Sequence, residues 1–157
     1  MHFSTEYYEL YDTLVEKYYS ESDCRYRLGL LCLLLILRNG LRATESVIAV
    51  EEFLKQSSRV ILIKSLKGGN YRYVVFPEEV SLLDLYELKQ CYDKLDKYLV
   101  RNVAYYRIKT NPHYLRMLYI ATLREQGVAV DEIARIIGHV DKKNTEIYIE
   151  RAHSVRH

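Results

Sequence analysis

His113-Tyr114-Leu115-Arg116 follows Asn111-Pro112, a pair that starts a helix: asparagine is a good cap and proline suits the first helical position. That helix is predicted to run to about Gln126 and end at Gly127. His113 and Arg116 stand three apart, so they share a face, and His113 lies in the first turn, where backbone N–H groups favour an anion. Leu115, Leu118, Tyr119 and Leu123 form the apolar stripe, with Arg116 beside it. Downstream, Asp131 is placed to cap a short helix through Ile137, which Gly138 ends and His139 follows. Asp141 is placed to cap a last helix that carries Tyr148, nine residues after His139.

Upstream, Asp23 to Arg38 reads as an apolar helix stopped by Asn39-Gly40, and a third helix runs from near Thr44 to about Lys55. Gly40-Leu41-Arg42-Ala43-Thr44-Glu45 is therefore a sharp junction with an inward-facing arginine. A buried arginine needs a carboxylate, and Glu45 lies one turn away. Between these segments the period changes. Arg59 to Ile63 and Tyr71 to Phe76 read as two strands joined through Lys67-Gly68-Gly69-Asn70, a glycine-rich hairpin turn. Residues 5–20 read as a first helix capped by Ser4 or Thr5, and Glu79 to Leu99 as one long amphipathic pattern (Leu82, Leu85, Leu88, Tyr92, Leu95). The class is mostly α with a small antiparallel β-hairpin.

The 157 residues suffice for one domain with its own core. Residues 1–99 hold 13 basic and 15 acidic side chains, and residues 100–157 hold 10 and 6, so the C-terminal part is +4 of a total of +2. That tilt permits nucleic-acid binding without demanding it. Leu28 to Leu37 is apolar but ten residues long and flanked by Arg27 and Arg38, too short to span a bilayer. Cys24, Cys32 and Cys91 lack CxxC spacing, and their odd number, with no secretion signal, argues for a reducing interior. Neither the five histidines nor the three cysteines show zinc-ligand spacing. Sixteen tyrosines without one tryptophan are unusual, and read as amphipathic wall residues.

GLRxxE at Arg42, a hairpin lysine, HxxR, Gly-His and then tyrosine occur in the order and spacing of the tyrosine recombinase (phage integrase) family, which the chain resembles over roughly Leu28 to Ile149. The resemblance implies a recombinase catalytic-domain fold and cleavage and rejoining of double-stranded DNA through a 3′-phosphotyrosyl bond. It assigns Tyr148 as nucleophile, Arg42 and Arg116 as the phosphate clamp, and Lys67 as general acid to the leaving 5′-oxygen, with Lys64 as the competing lysine. His113 would donate to the phosphate or take the tyrosine proton, His139 would donate to the phosphate, and Glu45 would orient Arg42. Met117 stands where the family often has a further histidine. No metal or other cofactor is implied, because the cationic side chains supply the positive charge. A tetramer formed only on DNA is implied, in the cytoplasm or nucleoid, with virus or plasmid origin in keeping.

The expected organisation is a single catalytic domain over residues 1–157 without the N-terminal DNA-clamp domain. Whether it is a fragment or stands alone, and whether Tyr148 acts in cis or in trans, stays open. Related chemistry leaves topoisomerase IB-like DNA relaxation open, as does a non-catalytic DNA-binding role, or a helical interaction module outside DNA. Base reading is expected from the helices near Arg42 and after Asn111.

Overall fold

A computed structural model of the protein describes residues 2–65, 70–139 and 142–156, with the side chains of Lys142, Tyr148, Val155 and Arg156 outside the description. Helices α1 (Phe3–Ser20), α2 (Cys24–Asn39) and α3 (Ala43–Gln56) precede an antiparallel pair, β1 (Val60–Lys64) and β2 (Tyr71–Val75). Then come α4 (Leu82–Glu87), a 3-10 helix (Leu88–Lys94), α5 (Lys97–Ile108), α6 (Pro112–Glu125), α7 (Val130–Ile136) and α8 (Lys142–Arg156).

The centre is α2. Leu28 and Leu30 to Leu37 are buried, so this helix is covered on all sides, by α1, α3, α5, α6 and the 3-10 helix. Asp23 caps it by accepting from the N–H groups of Arg25 and Tyr26. Gly40 ends it in the left-handed conformation at φ 67°, and a Cβ there would lie 2.4 Å from the Tyr119 ring. Only glycine fits both conditions. Among the described residues no helix is long and apolar enough to cross a membrane.

The hairpin pairs Ile61 with Val74 and Ile63 with Arg72. These four side chains face inward and are buried, while Val60, Leu62, Tyr71 and Tyr73 are exposed.

Several sequence expectations need correction. Helix α1 starts earlier than residue 5, with His2 and not Ser4 or Thr5 at its cap. The first-turn N–H groups of Phe3 and Ser4 donate instead to the Glu125 carboxylate at the end of α6. The amphipathic pattern over Glu79 to Leu99 is not one helix. Leu85, Leu88 and Leu95 keep the expected burial, but the backbone tightens into the 3-10 helix. It then breaks where Asp96 turns extended and accepts from the N–H of Leu99, which starts α5. Helix α7 is capped by Ala129 and not by Asp131, which lies inside its first turn. Asp141 lies outside the described residues. Cys24 and Cys91 form a disulfide with Cα atoms 6.2 Å apart, and only Cys32, buried with its thiol pushed up to about 12 by desolvation, is free. The sequence reading missed this pair because partners 67 residues apart leave no local pattern.

Candidate active site

The junction between α2 and α3 presents two groups to one place. The Gly40 carbonyl, freed by the helix end, accepts from Arg116 Nη1 at 2.7 Å. Arg42 is the extended residue before α3, and its backbone N–H donates to Glu45 Oε1 at 2.8 Å. The same carboxylate oxygen lies 3.7 Å from Arg42 Nη1 and 3.5 Å from Arg116 Nη1. Glu45 and Arg116 are fully buried, while Arg42 is one-fifth exposed and opens outward. Arg42 Nη1 has no hydrogen-bond partner, so the site holds a spare donor.

His139 arrives from the other side. Helix α7 ends with Gly138 at φ 79°, the His139 N–H donating to Ala134 O at 2.8 Å and the Gly138 N–H to Arg135 O at 3.2 Å. This is the Schellman arrangement, and it fixes the backbone from which His139 projects. A Cβ on Gly138 would lie 2.9 Å from that of Ser65, so the turn also packs on the base of the hairpin. The His139 Nε2 lies 3.0 Å from Arg116 Nη2 and 3.4 Å from Arg42 Nη2. A guanidinium only donates, so Nε2 accepts. The ring proton therefore sits on Nδ1, which donates to Thr145 Oγ1 at 2.8 Å. In this arrangement Nε2 carries a lone pair, and His139 cannot donate from it, as the resemblance implies, until that nitrogen is protonated.

His113 is exposed in the first turn of α6, and with Arg42 and Arg116 it lines a cleft of about 610 Å³. The structure thus brings Arg42, Glu45, Arg116 and His139 into direct contact and sets His113 on the same cleft. Lys67 lies outside the described residues. The backbone of Tyr148 belongs to α8, three residues beyond Thr145, and its side chain is outside the description.

Five residues around the site were missed. Arg72 is buried, donates to Asn39 O and, at 3.4 Å, to Gly40 O, and shares that carbonyl with Arg116. Burial pulls its pKa down to about 10, against the pull of the Glu45 charge, so it stays charged at neutral pH. Its signal was present: the alternation that buries Val74 also turns residue 72 inward. Thr145 orients His139 from a helix six residues later, with no motif to mark it. Arg101, Asn102 and Tyr105 of α5 line the same cleft as Arg42, so a third helix flanks it besides the two expected to read bases.

Arg42 and Arg116 thus converge on one carboxylate and one imidazole, and Arg72 adds a third guanidinium at the Gly40 carbonyl that Arg116 shares. The excess positive charge suits an anion with several acceptor oxygens. Among the described residues no three His, Cys, Asp or Glu side chains converge to hold a metal ion.

No family model matches the chain. It is 30% identical over 143 residues to ORF241 of Acidianus two-tailed virus, named as an integrase, matching 87% of this chain and 58% of that protein. It is 29% identical over 137 residues to the tyrosine recombinase XerA of Saccharolobus solfataricus, matching 80% of this chain and 46% of that protein. The chain therefore spans about half the length of these relatives. Its fold is similar to the crystal structure of XerA recombinase (TM-score 0.54, 20% identity, 93% of this chain and 59% of that one). It is also similar to that of XerH recombinase in a post-cleavage complex with its palindromic difH substrate (TM-score 0.60, 16% identity, 94% and 50%).

Proposed function

We propose that this chain, a catalytic domain of the tyrosine recombinase family, cleaves and rejoins double-stranded DNA at specific sites. The observation that carries the reading is that Arg42 and Arg116, which line one cleft, both meet His139 behind it, with more guanidinium than carboxylate charge around them. A scissile phosphate there would place its non-bridging oxygens on the two guanidinium forks. The phenol of Tyr148 would attack phosphorus as its proton passes to His113, and the bond to the 5′-oxygen would break. Lys67 would supply the proton to that oxygen, leaving the 3′-phosphate on the tyrosine. The reverse attack by a 5′-hydroxyl reseals the strand without added energy, because the phosphotyrosyl ester keeps the energy of the broken bond.

The histidine tautomer adds a step. A phosphate oxygen that displaces the guanidinium from Nε2 of His139 meets a lone pair. Phosphate binding and protonation of that nitrogen are therefore linked, with Thr145 holding the ring in place. His113, on the helix start, faces the same anion. The preorganised donors act on charge that grows in the pentacoordinate state, where each is worth most. The DNA-bound state of the similar XerH structure supports DNA as the substrate, and pairing of two sites would assemble four copies. Residues 1–157 would act as a single catalytic domain.

The test is a suicide duplex whose nick lets the cleaved strand diffuse away, incubated with the chain and resolved on a denaturing gel. A shifted protein–DNA band is the expected outcome. Absence of the band across a panel of suicide duplexes of varied sequence refutes the proposal.

A further inference from the structure

Arg72 breaks the pattern of its own sheet. The hairpin turns four side chains inward, and Ile61, Ile63 and Val74 are the apolar residues such a face requires. The fourth is Arg72, only 3% exposed. Burying a guanidinium is costly unless a carboxylate pairs with it. Among the described residues no carboxylate lies within ion-pair distance of Arg72, although Glu45 stands that close to Arg42 and Arg116. Its terminal nitrogens donate instead to backbone carbonyls, Asn39 O and, at 3.4 Å, Gly40 O, and its Nε has no hydrogen-bond partner.

Holding the hairpin against α2 does not require this arginine. The Asn39 side chain already does so: its amide donates to Val75 O and its oxygen accepts from the Val75 N–H, both at 2.8 Å. An apolar side chain at position 72 would complete the inward face at less cost. What the guanidinium adds is found at the Gly40 carbonyl. A carbonyl oxygen has two lone pairs. Arg116 Nη1 takes one at 2.7 Å, and Arg72 Nη1 takes the other. Arg116 is thereby confined to its own side of that oxygen, and from there its Nη2 lies 3.0 Å from His139 Nε2.

We propose that Arg72 is a positioning residue of the phosphate clamp, acting through the shared Gly40 carbonyl to set Arg116 for the scissile phosphate. The inference rests on the reading of the cleft as a DNA-cleavage site. Buried behind the clamp, Arg72 acts on the reaction through Arg116 and not on the DNA itself.

A double-mutant cycle on single-turnover cleavage of a suicide duplex by the full chain tests it. Arg72→Met keeps the bulk and removes the charge. It should slow cleavage by about 10²-fold, the effect of a small misplacement at a reacting centre. It should nevertheless melt within a few degrees of the parent or above it, because an apolar side chain in place of an unpaired buried charge is neutral or stabilising. Arg72→Lys, whose single ammonium reaches only one of the two carbonyls, should fall between them in rate. Arg72→Met combined with Arg116→Lys should be no more than a few-fold slower than Arg116→Lys alone, since Arg72 acts through that arginine. Parental rates in both Arg72 variants, or losses that multiply in the combined variant, overturn the proposal. So does an Arg72→Met that melts far below the parent, which would make Arg72 a structural residue. Affinity for inorganic phosphate, measured by calorimetry, keeps the two readings apart. A parent that cleaves while the Arg72 variants match it refutes the positioning role alone. A parent that never cleaves, but whose phosphate affinity Arg72→Met lowers only while Arg116 is intact, supports the positioning role and refutes the catalytic reading. A parent that neither cleaves nor binds phosphate refutes both.

Discussion

Replacing Glu45 by glutamine changes one charge at the centre of the site and almost no volume. The amide oxygen can still accept the Arg42 backbone N–H, now bonded at 2.8 Å. What disappears is the negative charge beside Arg116 Nη1 at 3.5 Å and Arg42 Nη1 at 3.7 Å. Glu45 and Arg116 have no solvent exposure, so water cannot take over. Removing one partner of a buried ion pair costs about 3–5 kcal/mol. In a domain of this size each kcal/mol lowers the midpoint by about 2–4 °C, so Glu45→Gln should melt about 6–20 °C below the parent. Arg72 should lose protons more readily, since the Glu45 charge now opposes the effect of its burial. Sulfate or phosphate should recover part of the loss by entering the uncompensated guanidinium cluster, about 1.4 kcal/mol at about ten times its Kd. The assay is thermal unfolding followed by circular dichroism, with and without sulfate at constant ionic strength. A variant melting within about 2 °C of the parent would refute the reasoning, because it would mean that the three arginines do not depend on that carboxylate.

Arg116→Lys keeps the charge but cannot span Gly40 O and His139 Nε2 together, so single-turnover cleavage should slow by about 10²–10³ while DNA affinity changes far less. A rate within a few-fold of the parent would place Arg116 outside the chemistry. Cleavage should persist in excess EDTA, because guanidinium, ammonium and imidazole groups carry the charge a divalent ion would otherwise supply, and loss of activity restored by Mg²⁺ would contradict this. Glu125 is held below the usual glutamate pKa: burial raises it, but the bonds from Phe3 and Ser4 outweigh that and lower it. Its stabilising contribution is therefore complete above about 4.5 and lost as pH falls through its lower folded value. Amide exchange in the first turn of α1 should rise over that acid window in the parent and show no such dependence in Glu125→Gln.

Local chemistry was the legible part of this fold. Asn111 starts the helix it was expected to start, Asp23 caps the one it was expected to open, and Gly40 and Gly138 end theirs, because each acts on groups within four residues. Misreadings arose where a distant group supplied what the local residue did not. Ser4 is freed from capping by Glu125, 121 residues away, and the amphipathic run through Leu95 is broken by the Asp96 cap. In the site, the motif residues Arg42, Arg116 and His139 were named from the family resemblance, but the burial of Arg116 was not. Its partners come from α2, α3 and the turn after α7, and the stripe on its own helix says nothing about them. Arg72 and Thr145 escaped for the same reason: a strand arginine and a helical threonine acquire meaning only from what the fold sets opposite them.

The central claim is that Tyr148, out of sixteen tyrosines, bonds to the DNA. Trypsin releases it in the peptide spanning residues 144–151, where it is the sole tyrosine. The adduct trapped on a suicide duplex should be digested with trypsin and nuclease and analysed by tandem mass spectrometry. The account requires a nucleotide 3′-phosphate on Tyr148 of that peptide, and no adduct from Tyr148→Phe. A nucleotide on any other residue, attachment through a 5′-phosphate, or undiminished adduct in the phenylalanine variant would contradict it.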